Sequence, residues 1–403
     1  APQPPTLNRG GLSDVRMVAE LIRTEEAKPQ LGATLPDCPS TAWSEVLDIK
    51  QWQETYKAED DVACPVEVHA TPEDNAMGKE YFVQRREEIQ EMLTKHGTIW
   101  FRGFDLTKDP DGFREFWESL QLNPCLDPIH SSGLRKFLSK KDAIYEEVNK
   151  QSLAKHYIGL HQESTYKKTA TAGAFVCFQP ATVSGGEFFI ADGEKIFRDM
   201  DPEIMELICE RQVRISVSNL DLDVLGVFPG DSKEKVMEAV RQKVAEAVAP
   251  KFDMDLDMIW GTDGRDMRLQ AIEHAQSPIN RHPVTGRPLW FCNIHNHARF
   301  LRERRPCTVP EVGMTDVYYG NLDIIPGEVL QHINEVCEKN IVRVPMEAGD
   351  ILLCDNYRVL HGRDVFEGER LHAVSWFGSE PGKAAERGAG DILNGFINSA
   401  LGS

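Results

Sequence analysis

Apolar residues recur along the chain with helical spacing in some stretches and strand-like spacing in others, and this pattern predicts the order of elements. Residues 80–96 carry an apolar stripe and are followed by Gly97, which predicts a helix that ends at a glycine cap. Residues 98–104 are mostly apolar, which is typical of a buried strand. A second helix is expected after Asp109-Pro110. A helix that leads into a strand indicates an α+β domain whose barrel starts near residue 98.

The same reasoning predicts the remaining elements and one insertion. Further strands are expected at residues 171–178, 187–191, 213–217, 267–272, 341–344, 350–354 and 371–377, and further helices at about 202–208, 232–248 and 323–339. Residues 1–45 are rich in proline and polar residues, apart from a short amphipathic stretch at 15–23, and are expected to form an irregular arm. Residues 219–266 are expected to be a helical lid insertion that starts as a loop. We therefore expect one barrel domain over residues 46–403.

The composition limits the kinds of partner that the protein is expected to bind. The chain has 403 residues, of which 41% are hydrophobic and 27% charged, as in ordinary globular proteins. It has no run of about 20 apolar residues, so no membrane partner is expected. The formal net charge of -19 argues against nucleic acid. It favours a cationic or zwitterionic small molecule only if the acidic residues lie near the site, and a solvated acidic surface is the alternative. A homo-oligomer stays open.

The cysteines indicate a reducing compartment. There are nine, an odd number, with no CxxC pair, and several stand inside apolar runs, such as Cys177 and Cys354. Buried free thiols fit this distribution better than a disulfide framework. The chain begins Ala1-Pro2, without the basic start or apolar core of a signal peptide. We expect a cytoplasmic or organellar protein, and the missing Met leaves a removed transit segment open.

Candidate chemistry lies in two distant stretches. His161 and Glu163 are two residues apart, so in a regular strand both side chains project from the same face. Much later, His361 follows an apolar strand, and Arg370 stands at the head of the last one. Two imidazoles and one carboxylate on one face of a metal, with the other positions open, suit non-haem Fe(II). A guanidinium such as that of Arg370 can grip the far carboxylate of a keto-diacid that chelates iron at its other end.

Four groups of motifs carry a resemblance to a known family. They are Gly159-Leu160-His161-Gln162-Glu163; Ser184-Gly185-Gly186-Glu187; His282-Pro283-Val284-Thr285-Gly286 with Leu289-Trp290-Phe291; and Gly349-Asp350, Asp355-Asn356, His361-Gly362-Arg363 and Arg370. An HxE spacing alone is weak evidence, but this ordered set over about residues 80–380 is specific. With it the chain resembles the taurine dioxygenase-like (TauD/TfdA) Fe(II)/2-oxoglutarate oxygenases, especially the clavaminate synthase-like branch that uses glutamate in the first pair.

The resemblance implies a fold, a cofactor set and a site. The fold is a double-stranded β-helix (jelly-roll) core, mainly β, with flanking helices. Iron is held by His161, Glu163 and His361, and 2-oxoglutarate is anchored by Arg370. Together with O2, these cofactors would support oxidation of a substrate with release of succinate and CO2. Hydroxylation, desaturation and cyclisation all remain open.

Three positions separate this chain from particular relatives. Many relatives carry a threonine that helps to hold the co-substrate carboxylate where this chain has Phe188. The taurine enzyme has a second arginine where counting from Arg370 gives Val374, so a sulfonate clamp of that design is missing and taurine is not the expected substrate. Related halogenases generally replace the metal carboxylate by a small residue, and Glu163 therefore argues against halogenation.

Other polar residues are weaker candidates for a role in the site. Asn293 is expected to face the cavity and contact substrate, and Asp221 and Asp223 could meet a cationic substrate from the lid, although a solvated loop is the simpler interpretation. His295 and His297 have HxH spacing without an evident carboxylate partner, so they are expected to be loop or hydrogen-bonding histidines. His372 is expected in the core.

We expect an Fe(II)/2-oxoglutarate-dependent dioxygenase that acts on a small, zwitterionic or amino-acid-like substrate. Two alternatives stay open: a metal-dependent hydrolase that uses the same ligands, and a barrel that binds metal or a small molecule without turnover. The chain has no GxSxG, GxxxxGK[ST] or HExxH motif, which argues against the corresponding hydrolase, nucleotide and zinc-protease chemistries.

Overall fold

Strands and helices are both present along most of the chain in the computed structural model. The structure describes residues 30–32, 43–125, 137–139, 144–146, 153–165, 169–221, 232, 234–235, 238–239, 242, 254–260, 267–309 and 314–379. The strands are β1 Gln30–Gly32, β2 Trp43–Val46, β3 Val66–His69, β4 Thr98–Arg102, β5 Asn123–Cys125, β6 Phe137–Ser139, β7 Ile144–Glu146, β8 Ile158–His161, β9 Ala172–Gln179, β10 Ser184–Gly185, β11 Phe188–Asp192, β12 Val213–Asp221, β13 Met254–Trp260, β14 Met267–Glu273, β15 Ile279–Arg281, β16 Pro288–Trp290, β17 Val317–Tyr319, β18 Val342–Val344, β19 Ile351–Asp355, β20 Val359–Arg363, β21 Phe366–Glu367 and β22 Leu371–Gly378. The helices are α1 Ile49–Ala58, α2 Pro72–Met77, α3 Lys79–Gln84, α4 Arg86–His96, α5 Pro110–Ser119, α6 Gly193–Asp199, α7 Pro202–Arg211, α8 Ile294–His297, α9 Arg299–Arg302 and α10 Gly327–Asn340.

Two sheets face each other and form the core of the molecule. The larger sheet has the strand order β3-β4-β19-β9-β22-β7-β6, with β5 also paired to β22, and the smaller has the order β18-β11-β20-β8. Side chains alternate along each strand, so Phe188 and Ile190 of β11 enter the layer between the sheets, whereas Phe189 and Ala191 point to the outside. Phe175 and Trp376 of the larger sheet lie in the same inner layer. This is the predicted jelly-roll.

Helices cover the outer faces of both sheets. Helices α3, α4 and α5 pack an aromatic cluster against the larger sheet, and α1, α6, α7 and α10 cover the smaller one. The predicted end of α4 is confirmed: Gly97 has a φ of 70°, and its N–H donates to the carbonyl of Leu93 at 2.7 Å. The predicted start of α5 is also confirmed, because Asp109 Oδ1 accepts from the Gly112 N–H at 2.9 Å. Both cap signals therefore gave the correct boundary, but the single helix expected over residues 80–96 is divided at Arg85 into α3 and α4.

The N-terminal arm departs from the prediction. Within residues 1–45, expected to be irregular, β1 and the start of β2 are strands, with Gln30 opposite Val46 and Gly32 opposite Asn280. The prediction was wrong there because the pairing partner of β1 in β15 is distant in the chain and leaves no local periodicity. The amphipathic stretch at 15–23 lies outside the described residues.

The insertion also begins differently from the prediction. Residues 219–221 were expected to be loop but continue β12, which pairs with β14 through Asp221. Strand β13, which was not predicted, forms a hairpin with β14. The described residues between 232 and 242 include helical positions, and Ser232 Oγ accepts from the Lys235 N–H at 3.2 Å, as expected of a helix cap. Extension of the sheet therefore replaces the expected loop.

The cysteines that the structure describes contain no disulfide. Eight are free, of which Cys64 and Cys307 are partly buried and the other six are buried. This agrees with the prediction of buried free thiols, and Cys38 lies outside the described residues. Among the described helices, none is both long and apolar enough to span a membrane.

Candidate metal centre

Three potential metal ligands converge between the two sheets. One ligand atom each from His161, Glu163 and His361 can be chosen so that all three lie within 4.8 Å of one another, and all three residues are buried. His161 at the end of β8 is the direct partner of His361 in β20, and their ring centroids are 4.3 Å apart. Among the described residues, this is the only cluster of at least three histidine, cysteine or acidic side chains that could hold a metal ion. The structure thus brings together residues that are 200 positions apart in the chain.

The orientation of the His161 ring is fixed by its own strand. Nδ1 of His161 lies 2.8 Å from the carbonyl oxygen of Gly159. Because a carbonyl oxygen only accepts, Nδ1 carries the proton, and Nε2 is left with the lone pair that a metal requires. A backbone carbonyl commonly orients a metal-binding histidine in this way.

Aromatic rings surround the His361 imidazole. The Phe175 ring centroid lies 4.8 Å away, that of Trp376 5.6 Å away, and that of Phe188 5.9 Å away with the two planes only 5° apart. An apolar shell lowers the local dielectric and restricts water around a metal site. Phe188 therefore forms part of the apolar surroundings of His361, although it lacks the hydroxyl that the resemblance led us to expect at this position.

Two asparagine side chains hold the backbone beyond β8. Asn293 Oδ1 accepts from the Gln162 N–H at 2.8 Å, and its Nδ2 donates to the Gln162 carbonyl at 3.1 Å. Asn356 does the same for Glu163, with distances of 3.0 Å and 3.1 Å, and its Nδ2 also reaches the Ala170 carbonyl at 2.7 Å. Each amide thus makes the two-point contact that a neighbouring strand would otherwise provide.

Helix α8 supplies two more side chains to the same edge of β8. His295 Nδ1 accepts from the Leu160 N–H at 2.8 Å, and Asn296 Oδ1 accepts from the Gly159 N–H at 3.0 Å. Burial lowers the pKa of His295 to about 4, although Glu338 opposes the shift. The imidazole is therefore neutral, and its Nε2 lies against the guanidinium of Arg305 and 3.4 Å from Glu338 Oε1. As predicted, His295 and His297 make hydrogen bonds and are not part of the metal cluster.

Arg370 is buried against the glycine turn that precedes β11. Its Nε donates to the Gly186 carbonyl at 3.2 Å, and its guanidinium lies 5.9 Å from the Phe366 ring centroid. A Cβ atom at Gly186 would come within 2.9 Å of Phe366 Cβ and 3.1 Å of Arg370 Cδ. Gly186 also has a φ of +73°. A glycine is therefore needed here both for the backbone conformation of the turn and for the close approach of Phe366 and Arg370. Gly186 precedes β11 by two residues, and β11 carries the ring that stacks on His361.

The expected substrate residues differ in their positions in the structure. Asn293 was predicted to contact substrate, and this stays a prediction; both polar atoms of its amide hydrogen-bond the backbone of Gln162. Asp221 is the last residue of β12, and its expected loop position was wrong. Asp223 lies outside the described residues. Val374 and His372 are buried, and a core position was expected for His372.

Sequence reasoning missed most of the supporting residues. Asn356 appeared only as part of a family motif and received no role, and His295 was expected to be a loop or hydrogen-bonding histidine without a named partner. The apolar residues Phe175 and Trp376 were predicted as strand residues without a place beside His361. No local pattern identifies an asparagine that bonds a distant backbone, because the contact depends entirely on how the sheets and α8 come together.

Comparisons with known proteins show which family the chain belongs to. The family model described as "Taurine catabolism dioxygenase TauD, TfdA family" matches residues 77–376. The dapdiamide synthesis protein DdaC of Enterobacter agglomerans is 26% identical over 293 residues, which cover 71% of this chain and 84% of DdaC. The PvcB structure from Pseudomonas aeruginosa matches with a TM-score of 0.42 and 15% identity, over 72% of this chain and 79% of PvcB. An asparagine oxygenase in complex with Fe(II), 3-hydroxyasparagine and succinate matches with a TM-score of 0.47 and 10% identity, over 78% of this chain and 93% of that one.

The contact between Gly186 and Arg370 yields a test of the dicarboxylate site. In Gly186→Ala, the added methyl group must displace Arg370 or Phe366, so we expect the Kd for 2-oxoglutarate to rise about tenfold or more, the effect of weakening one charge-assisted hydrogen bond. Binding of Mn(II) alone should be unchanged. Gly103→Ala is the matched control, because Gly103 has a φ of +71° but nothing within 4 Å of an added Cβ. Calorimetric titration would measure both constants, and equal losses in the two variants would contradict the assignment.

Proposed function

The chain belongs to the TauD/TfdA family of Fe(II)- and 2-oxoglutarate-dependent dioxygenases, and on that premise we propose that His161, Glu163 and His361 hold the iron and that Arg370 anchors 2-oxoglutarate. As a member of this family the protein is an oxidoreductase that uses Fe(II), 2-oxoglutarate and O2. The observation that carries the site assignment is the buried convergence of three ligand atoms within 4.8 Å.

The donor set fits iron. A carboxylate is costly to bury, and its position beside two imidazoles is favourable when a cation binds between them. Two histidines and one carboxylate on one side leave the remaining positions of the metal for other ligands, the arrangement typical of non-haem Fe(II) oxygenases. All three residues come from two paired strands and the segment directly after one of them, which makes the geometry rigid.

The protein residues orient the reactants and exclude water. Bound Fe(II) supplies the O2 chemistry, in which 2-oxoglutarate is decarboxylated to succinate and CO2 while the substrate is oxidised. Arg370 fixes the far carboxylate of 2-oxoglutarate through charge-assisted hydrogen bonds. The rings of Phe175, Phe188 and Trp376 keep the surroundings of His361 apolar. Since Glu163 occupies the carboxylate position, we propose hydroxylation, desaturation or cyclisation rather than halogenation.

We propose a small zwitterionic or amino-acid-like substrate, and Arg302 supports this class. Its Nε donates to the Asn296 carbonyl at 2.6 Å, and no carboxylate among the described residues forms an ion pair with its guanidinium. Burial lowers the pKa of Arg302, and Asp316 acts on it only at longer range. A partly buried cation without an ion-pair partner is suited to bind the carboxylate of a ligand.

The location of Arg302 relates it to the metal centre. It ends α9, which packs against α8, and α8 bonds the edge of β8 through Asn296. Burial, together with the charge of Arg302, holds the pKa of His297 well below its ordinary value. His297 is therefore within electrostatic reach of Arg302. The dapdiamide synthesis protein among the relatives also agrees with a small-molecule biosynthetic substrate.

The iron and 2-oxoglutarate assignment is tested by anaerobic addition of Fe(II) and 2-oxoglutarate. We expect a weak visible charge-transfer band in the wild type, no band in His161→Ala, and a band in Arg370→Ala only at about tenfold or more higher 2-oxoglutarate. Absence of the band in the wild type would contradict the assignment and favour a hydrolase. Full retention in both variants would show that other residues hold the iron and 2-oxoglutarate. A band without substrate-stimulated succinate release would favour the non-catalytic barrel.

The substrate class is tested by screening α-amino acids and betaines for stimulation of succinate release. We expect the best substrate to carry a carboxylate, and Arg302→Met to raise its KM about tenfold or more because a charge-assisted contact is lost. Arg304→Met is the matched control, since Arg304 is exposed two residues further along the same segment. An unchanged KM in Arg302→Met, or a best substrate without a carboxylate, would exclude this role for Arg302.

A further inference from the structure

The segment that carries Glu163 lies beyond the end of β8. The ladder between β8 and β20 aligns His161 with His361, and β8 ends at His161. Glu163 therefore depends on other contacts to remain on the same face as His161. The N–H groups of Gln162 and Glu163 donate their hydrogen bonds to the side-chain oxygens of Asn293 and Asn356.

We propose that Asn293, His295, Asn296 and Asn356 form a side-chain clamp that positions the two ligands of the first stretch, and that the two-point contacts of Asn293 and Asn356 set the metal affinity. The clamp accepts hydrogen bonds from the N–H groups of four of the five residues from 159 to 163. This inference rests on the proposed metal site, and it concerns what holds that site in place.

A two-point contact fixes orientation as well as position. One hydrogen bond would allow the peptide to rotate about it, whereas an amide that donates to and accepts from the same residue defines the plane of that residue's backbone. Asn293 does this at Gln162, and Asn356 does it at Glu163. The side chain of Glu163 is then directed to the face that His161 occupies, as the alternation of a regular strand would direct it.

The two asparagines come from different parts of the fold. Asn356 directly follows β19 of the larger sheet, and Asn293 directly precedes α8. Glu163 is therefore located relative to the larger sheet as well as to its own sheet. Groups that orient metal ligands commonly change metal affinity about 10- to 100-fold when they are altered. The same scale is expected here for loss of the donating amide group.

The chain contains a matched control for this contact. Asn75 Nδ2 donates to the Gly103 carbonyl at 3.0 Å, and its Oδ1 accepts from the Asp105 N–H at 2.8 Å. It thus bridges a backbone segment with both amide atoms, as the clamp residues do, but neither Gly103 nor Asp105 belongs to the metal centre. Asn75→Asp and Asn293→Asp make the same near-isosteric change, which keeps an acceptor and replaces the donor by a second oxygen.

The experiment measures Mn(II) binding and metal-free thermal unfolding for the wild type, Asn293→Asp, Asn356→Asp and Asn75→Asp. We expect the Kd for Mn(II) to rise about 10- to 100-fold in the first two variants and less than about twofold in Asn75→Asp, even where the Tm values fall equally. Asn293→Ser, which keeps at most one of the two contacts, replaces any clamp variant that does not fold and should raise the Kd about tenfold.

The possible results distinguish a failure of the clamp proposal from a failure of the proposed metal site. If the clamp variants bind Mn(II) as the wild type does while their Tm values fall, the asparagines only stabilise the fold and the clamp is excluded. If Asn75→Asp weakens Mn(II) binding equally, the effect is a general loss of stability, which also excludes the clamp. If the wild type fails to bind Mn(II), or His161→Ala binds it equally well, the proposed metal site itself is wrong and the clamp is excluded with it.

Discussion

The central constraint in this protein is the burial of a carboxylate beside two imidazoles. Such a group is stable inside a protein only when its charge is compensated and its backbone is held rigidly. The first condition points to a cation between His161, Glu163 and His361, whose ligand atoms can lie within 4.8 Å of one another. The second condition explains why polar side chains of Asn293 and Asn356 are placed against a backbone segment that has left its strand.

The layered fold follows from the same requirement. Alternation along β11, β20 and β22 sends one set of side chains to helices outside and the other to the layer between the sheets. The inner set provides an apolar surrounding for His361, and the outer set anchors the helices. The glycine turn before β11 lets Arg370 approach the backbone closely. The position of the proposed dicarboxylate site is therefore determined by a turn, whereas that of the proposed metal centre is determined by paired strands.

The sequence was informative wherever a signal is local. Gly97 and Asp109 marked helix boundaries correctly, and the HxE spacing with the later His361 identified the residues that the structure brings together. Contacts that depend on distant partners were not predictable. Strand β1 pairs with β15 across most of the chain, and the hydrogen bonds between the Asn293 side chain and the backbone of Gln162 have no sequence signature. Phe188 was considered only as a departure from relatives, and its stacking on His361 could not be predicted without the fold.

The most direct test of the account is anomalous diffraction from crystals of the protein grown with Mn(II) and N-oxalylglycine, a stable analogue of 2-oxoglutarate. The account predicts one strong anomalous peak within about 2.3 Å of His161 Nε2, a His361 ring nitrogen and a Glu163 carboxylate oxygen. It also predicts that the far carboxylate of the analogue is bonded to Arg370. A metal bound elsewhere, or an analogue that does not contact Arg370, would contradict it.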